Sequence, residues 1–409
     1  MPDQPILRRT FQSLGARNFR LFFIGQSISN TGNWLTNVAL ILFVLRLTGS
    51  GLAVGLLAAA QFGPMLFLSA WAGAVADRVD KRRALFVTQA LEMAQSVGLA
   101  ALAFMPHPPL VALYALALGG GIVLAFDNPL RRSFVPEMVG PDALPNAIVL
   151  YSTIITLSQI FGPALAGLLA TTVGFGWCFT LDAATYLAVI LCLFMMRPAE
   201  LFRLPPAART GREVREGLRY VRSVPFLWIS FAMFAAVGIF SFNMRVSLAL
   251  FVTDTLHGGD AAFTILYSVT SLGGLVGGLA VAHRRFVRLE HIVAGALALG
   301  VAMLVLSAMP SVILAAPAVL LVGGASIVYM TATTAVAQVD TRRDMQGRVL
   351  ALQTALMGGT ALVGGPLVGR IADVAGGRAP IVVGGVVCLA SAAFGRWASG
   401  RAQPKPRTA

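Results

Sequence analysis

Three ionisable side chains stand well inside long apolar runs: Glu92, Asp182 and Arg245. A fourth, Asp127, lies near the end of such a run. A charge in hydrocarbon is costly, so each of these groups must face protein or water. A carboxyl placed there can load a proton on one side of a barrier and release it on the other, which makes Glu92, Asp127 and Asp182 proton-coupling candidates, in that order apart from geometry. Glu92 lies nine residues beyond Arg83, or about 14 Å along a helix at 1.5 Å per residue. That is close to the middle of a hydrocarbon layer about 30 Å thick. Asp182 and Arg245 both lie toward the opposite end and could pair. A purely structural ion pair or a neutral buried carboxyl is the alternative role for each.

A polar stripe accompanies these charges. Gln26, Asn30, Asn33 and Asn37 recur at spacings of four, three and four, which puts them on one helix face. In lipid such a face turns inward, either to bond a neighbouring helix or to line a substrate cavity. Asn243, Ser247, Thr331, Thr334 and Gln338 repeat the theme later in the chain, with Tyr267 and Tyr329 as candidate aromatic walls. Ser and Thr in membrane helices also bond their own backbone, so these positions are open to both readings.

The elements that must hold these residues are membrane helices. Of 409 residues 57% are apolar and 12% charged, and the mean hydropathy is +0.79. A soluble chain carries about twice that charge fraction. Twelve apolar runs near 20–45, 52–76, 84–105, 109–127, 144–172, 177–196, 225–252, 261–282, 289–309, 312–337, 348–373 and 379–397 are long enough to span a bilayer. They are continuous rather than alternating, which excludes a β-barrel. The first is too long for a signal-peptide core and is read as a retained helix. The net charge of +14 follows the same plan: 27 of the 31 Lys and Arg residues fall in alternate connections and the termini. Arg46, Arg370 and Arg378 lie opposite them, and Arg245 lies within a run. By the positive-inside rule both termini and the middle loop are cytoplasmic, and nucleic acid is not the partner that the charge implies.

The segment 197–224 divides the chain into six-helix halves, 1–196 and 225–409. It contains Pro198, Pro205 and Pro206, then GREVREGLRYVR, which predicts a short basic amphipathic helix on the membrane surface. The halves look duplicated: Gly162 and Pro163 of FGPALAG correspond to Gly365 and Pro366 of GGPLVGR. Duplicated halves with a site between them are a transporter architecture. Cys178, Cys192 and Cys388 have no metal spacing and read as packing residues. His107, His257, His283 and His291 fall near helix ends, so no metal or other cofactor is expected. There is no phosphate-binding G-x-x-x-x-G-K-S/T loop and no repeated filter segment. An ATP-driven pump, a hydrolytic enzyme and a channel are therefore poor readings.

The loop GAVADRVDKRR, at 73–83, resembles the signature loop of the major facilitator superfamily, G-x-x-x-D-R-x-G-R/K-R/K, through Gly73, Asp77, Arg78, Lys81 and Arg82. Asp80 stands where that pattern has its second glycine. The stretches 27–56 and 127–150 resemble a bacterial branch that includes the enterobactin exporter and macrolide-efflux-like proteins. The resemblance implies an all-α membrane protein of twelve helices in two pseudo-symmetric bundles, working by alternating access. It implies that Asp77 pairs with basic residues at a cytoplasmic gate, Arg131 or Arg132 among them, and that the first helix lines the cavity. It places the third helix, with Glu92, at the periphery, and Asn33 where some relatives have Asp. GPALAG partly resembles the exporter motif GPxxGG through Gly162, Pro163 and Gly167, with Ala166 in place of glycine. The expected function is export of a small amphipathic compound (a drug, siderophore or metabolite) by proton antiport across a bacterial cytoplasmic membrane, by a monomer. Proton-coupled uptake of a metabolite or lipid is the alternative, and a transporter-fold sensor or membrane enzyme without net transport is the alternative of another class. No substrate is named by these residues.

Overall fold

The computed structural model describes residues 11–202, 213–281, 288–339, 341–342 and 345–401. Pro205, Pro206, Gly211 and Arg212 of the linker lie outside the described residues, as do Arg284, Arg285, Arg343, Lys405 and Arg407 of the charge pattern.

Among the described residues there are twelve helical spans long and apolar enough to cross a membrane. The first six are α1 (Arg17–Thr48), α2 (Gly51–Ala76), α3 (Lys81–Ala103), α4 (Leu110–Met138), α5 (Leu144–Thr172) and α6 (Phe175–Met195). A short helix α7 (Glu213–Ser223) follows. The seventh span is made of α8 (Pro225–Ser241) and α9 (Met244–Leu250), and the rest are α10 (Asp260–Val281), α11 (Leu289–Ser307), α12 (Val312–Val339), α13 (Gln346–Ala375) and α14 (Ala379–Arg401). Helices satisfy their own backbone, which is why continuous apolar runs in lipid adopt them.

Two spans depart from the sequence reading. The fourth was expected to end near 127, at the first charges, but α4 continues to Met138 through Pro129 and Pro136. Asp127 and Arg131 sit one turn apart and form a salt bridge, so the charges that suggested a loop neutralise each other inside the helix. The seventh span breaks at Phe242 and Asn243 and ends in a π-turn over Phe251–Thr255. At the break the Asn243 amide donates to the carbonyls of Ile239 at 2.9 Å and of Thr360 on α13 at 3.3 Å, replacing helix bonds that the kink removes.

The chain divides into two compact units, Met1–Phe43 with Leu68–Arg209, and Val44–Phe67 with Thr210–Ala409. In unit 1, α3 packs on α4 and α6. One end of the unit is filled by Phe19, Phe22, Phe134, Tyr151 and Leu193. Gly162 brings α5 against α1, since a Cβ there would lie 2.5 Å from Trp34 Cβ. In unit 2, α10 packs on α12 and α11 on α14. The first of these contacts is made backbone to backbone: a Cβ on Gly277 would lie 2.6 Å from Gly324 Cα, and one on Gly323 would overlap the Thr270 carbonyl oxygen. Small residues of this kind let membrane helices approach closely. Helix α7 is tied to α13 through Glu216 and Arg348, 2.9 Å apart, and Val221 is buried with Leu227, Phe231 and Val349.

Candidate functional site

Unit 1 buries an ion cluster. Arg131 on α4 is salt-bridged to Asp127 one turn away, and its Nη2 lies 3.3 Å from Glu92 Oε2 on α3. Its Nη1 donates to Gln26 Oε1 on α1 at 2.6 Å. Asp127 Oδ1 accepts from Thr88 Oγ1 at 2.7 Å and from Gln89 Nε2 at 2.9 Å. The side chains of Arg131, Glu92 and Asp127 are 7%, 3% and 1% exposed. Two carboxylates therefore face one guanidinium in a region closed to water, and the cluster is neutral when it holds one proton. Buried charges persist only when paired and hydrogen-bonded, which is the condition these partners meet.

The polar stripe of α1 joins this cluster. Asn30 Nδ2 donates to Gln26 Oε1 at 3.0 Å, and Asn37 Nδ2 to Asn33 Oδ1 at 2.9 Å. Asn33 Nδ2 donates to the Tyr186 hydroxyl on α6 at 3.1 Å. Gln26 and Asn37 are buried, whereas Asn30 and Asn33 are half-buried. The stripe bonds neighbouring helices through Gln26 and Asn33, and Asn30 and Asn33 keep part of their surface exposed.

Asp182 on α6 is fully buried beside this network. It accepts from Ser96 Oγ at 2.8 Å. Gly32 makes room for it on α1, because a Cβ there would lie 2.6 Å from Asp182 Oδ1. Arg245, expected as its partner, is instead held in unit 2, with its guanidinium carbon 4.2 Å from the centre of the Phe62 ring. Each group has found a partner within its own unit.

The signature loop ties helix ends together within unit 1. Asp80, the departure from the glycine of the pattern, is the N-cap of α3 and accepts from Arg83 N at 3.0 Å. Lys81 Nζ lies 2.5 Å from Glu137 Oε1 near the end of α4. Arg82 Nε donates to the Leu193 carbonyl at the end of α6 at 2.8 Å. Asp77 is half-buried, Gly73 accepts from its backbone N–H, and Arg78 is exposed. Of the two arginines expected at the gate, Arg132 is exposed and Arg131 points into the ion cluster.

The remaining cavity candidates lie in unit 2. Thr334 Oγ1 accepts from Gln353 Nε2 at 3.1 Å. Tyr267 stacks at 5.9 Å on Phe263, and the fully buried Tyr329 meets Phe242 at 6.1 Å. These two tyrosines are packing residues of unit 2 and not open walls. In the packing motif Pro163 and Gly167 are buried in α5, while Gly365 and Pro366 meet α2 at Gly55. Sequence reasoning passed over Thr88, Gln89, Glu137 and Tyr186. Thr88 and Gln89 precede Glu92 by four and three residues, a spacing that already put them on its face.

Twelve membrane helices, a buried ion cluster and a cap-tied signature loop describe a membrane transporter and not an enzyme. The chain belongs to the transmembrane secretion effector family of the major facilitator superfamily, whose model matches residues 9–401. It is 27% identical over 385 residues to the multidrug efflux pump Tap of Mycolicibacterium fortuitum, covering 88% of this chain and 92% of that protein. It is 26% identical over 362 residues to the enterobactin exporter EntS of Escherichia coli, covering 85% and 84%. It is 25% identical over 262 residues to the staphyloferrin A transporter of Staphylococcus aureus, a match spanning 63% of this chain and 65% of that protein. Among solved structures, it superposes on a bacterial homolog of the human lysosomal transporter Spinster with a TM-score of 0.72, at 16% identity and over 95% of this chain and 99% of that one. A POT family transporter in complex with 5-aminolevulinic acid gives 0.77, at 11% identity over 94% and 96%. At such identities the structural likeness speaks for the fold alone.

Proposed function

We propose that this protein exports a small amphipathic compound across a bacterial cytoplasmic membrane in exchange for protons, with Glu92, Asp127 and Arg131 as the coupling centre. The observation that carries this reading is the ratio of two buried carboxylates to one buried guanidinium. One proton makes the cluster neutral, and losing it leaves a net negative charge in a dry site. Opening to water on one side lowers the cost of that charge and releases the proton. Gln26, which accepts from both Arg131 and Asn30, connects the change to the half-buried amide of Asn30, where a substrate can displace water. Export as the direction is supported by two relatives whose names are an efflux pump and an exporter.

The test uses the full-length protein in liposomes with an acidic interior and ethidium as the transported dye. Wild-type protein accumulates ethidium inside. Glu92→Gln keeps the shape and removes the proton site, so it abolishes accumulation while still exchanging dye at equal pH on both sides. Accumulation by Glu92→Gln against the dye gradient would overturn the coupling role. Orientation is tested separately, after replacement of the native cysteines. In intact cells an impermeant thiol reagent labels His257→Cys and spares Gly211→Cys; the reverse pattern sinks the assignment of both termini to the cytoplasm.

A further inference from the structure

Asp373 lies on the last turn of α13 and is exposed. Its carboxylate accepts from the backbone N–H of Gly51 at 2.6 Å and of Leu52 at 2.9 Å, and from the Ser50 hydroxyl at 3.0 Å. Gly51 and Leu52 are the first two residues of α2, whose N–H groups have no partner within their own helix. A carboxylate from a distant helix thus performs the work that a local N-cap residue ordinarily does.

Beneath this cap the two helices meet through glycine. A Cβ on Gly51 would lie 2.6 Å from the Gly369 carbonyl oxygen, and one on Gly365 would lie 2.6 Å from that of Gly55. Ala58 Cβ would face the same Gly365 Cβ at 3.3 Å. At the same end Arg46 is salt-bridged to Asp260. At these glycines α2 and α13 meet backbone to backbone, and the cap sits at the end of that contact.

The stretch 44–67 belongs to unit 2 by its packing, yet it is the end of α1 and most of α2, helices that continue into unit 1 at Phe43 and Leu68. Pro64 interrupts the hydrogen bonding of α2 four residues before Leu68, so the amino-terminal part of α2 can swing about this point. Such a swing takes the start of α2 off α13, where Asp373 holds it. We propose that Asp373 is a positioning residue for transport: its carboxylate is the releasable cap that fixes the first turn of α2 on α13, and its release accompanies opening of this end of the protein. Because the carboxylate is exposed, water can take over its hydrogen bonds when the helix leaves. The proposal rests on the chain being a transporter and not on proton coupling.

The experiment measures opening directly. In full-length protein with Cys178, Cys192 and Cys388 replaced by Ala, Ala58→Cys reports the α2–α13 contact and Ala392→Cys, buried in α14, reports general loosening. Labelling by a small, water-soluble methanethiosulfonate is followed in proteoliposomes. Asp373→Ala is expected to raise the labelling rate at position 58 by about fivefold, the shift that follows loss of a modest hydrogen-bonding contact, and to leave position 392 unchanged. Asp373→Asn, whose amide oxygen still accepts, gives a smaller rise, and ethidium turnover falls in the same order. A rate at position 58 within about twofold of wild type, or an equal rise at both positions, overturns the proposal. If Asp373→Ala fails to reach the membrane, Asp373→Asn and Ser50→Ala carry the same readings. The outcome is independent of Glu92→Gln, so failure here and failure of the coupling centre are distinguishable.

Discussion

Unit 1 and unit 2 are both bundles of membrane helices, but their interiors are held together differently. Unit 1 buries Glu92, Asp127, Arg131, Lys81, Glu137 and Asp182. Unit 2 has Arg245 as the ion within its helical spans away from the ends, and that group is half-buried on an aromatic ring. In place of charge, unit 2 has glycine contacts between α10 and α12 and between α11 and α14, where Gly300 faces the Gly385 carbonyl. Charge pairs are directional and change strength with protonation, whereas glycine faces are close, flat and indifferent to pH. The contrast sets buried ion pairs in one unit against close helix packing in the other.

The largest expected effect breaks the charged side of this comparison. Arg131→Ala leaves two buried carboxylates without their cation and costs about 3–5 kcal/mol, read as a lowered unfolding midpoint in detergent. Combining Arg131→Met with Glu92→Gln and Asp127→Asn removes the uncompensated charge and restores most of that loss, though not transport. Equal stability of Arg131→Ala and wild type would show that the cluster is not an interdependent set.

A middle-sized effect probes the glycine side. In Gly323→Ala the new methyl overlaps the Thr270 carbonyl oxygen, and forced repacking of this kind costs about 1–3 kcal/mol. Gly278→Ala places its methyl at an ordinary 3.5 Å from Ile327 Cγ2, and is neutral or stabilising by up to about 1 kcal/mol. The two variants together separate close approach from helix propensity; identical midpoints would remove the distinction.

The smallest effect lies in the signature loop. Asp80→Ala removes the N-cap of α3 and costs about 0.5–2 kcal/mol, while Asp80→Gly, which restores the family pattern, costs only a few tenths. A larger loss for glycine than for alanine would mean that Asp80 acts through something other than the cap.

Much of this was legible in the sequence, and the exceptions have physical causes. The twelve spans follow from uninterrupted apolar runs, which lipid allows to be little else. The end of α4 was misplaced because Asp127, Arg131 and Arg132 look alike as letters, and only the helical spacing of the first two reveals that they cancel. The stripe on α1 and the carboxyl groups at 92 and 127 were each visible, but their union depends on Arg131, which reaches Gln26 and both acids from α4. Asp80 read as a defect in a glycine pattern and proved to be a cap. The assignment of 44–67 to unit 2 left no trace, since Gly51 and Gly55 resemble every other glycine in an apolar run until their partners on α13 are known.

The salt bridge inside α4 also bears on how the chain enters the bilayer as it is made. Asp127 and Arg131 can shield each other while α4 stands alone, but Glu92 arrives earlier, in α3, and has its guanidinium only once Arg131 has been synthesised. The connection between α3 and α4 runs only from Phe104 to Pro109, short enough for the two helices to be delivered as a hairpin. Biogenesis of the amino-terminal half is therefore cooperative at this point: α3 settles in lipid when α4 follows it, and a chain truncated between them would leave its acid facing hydrocarbon and become a target for membrane quality control.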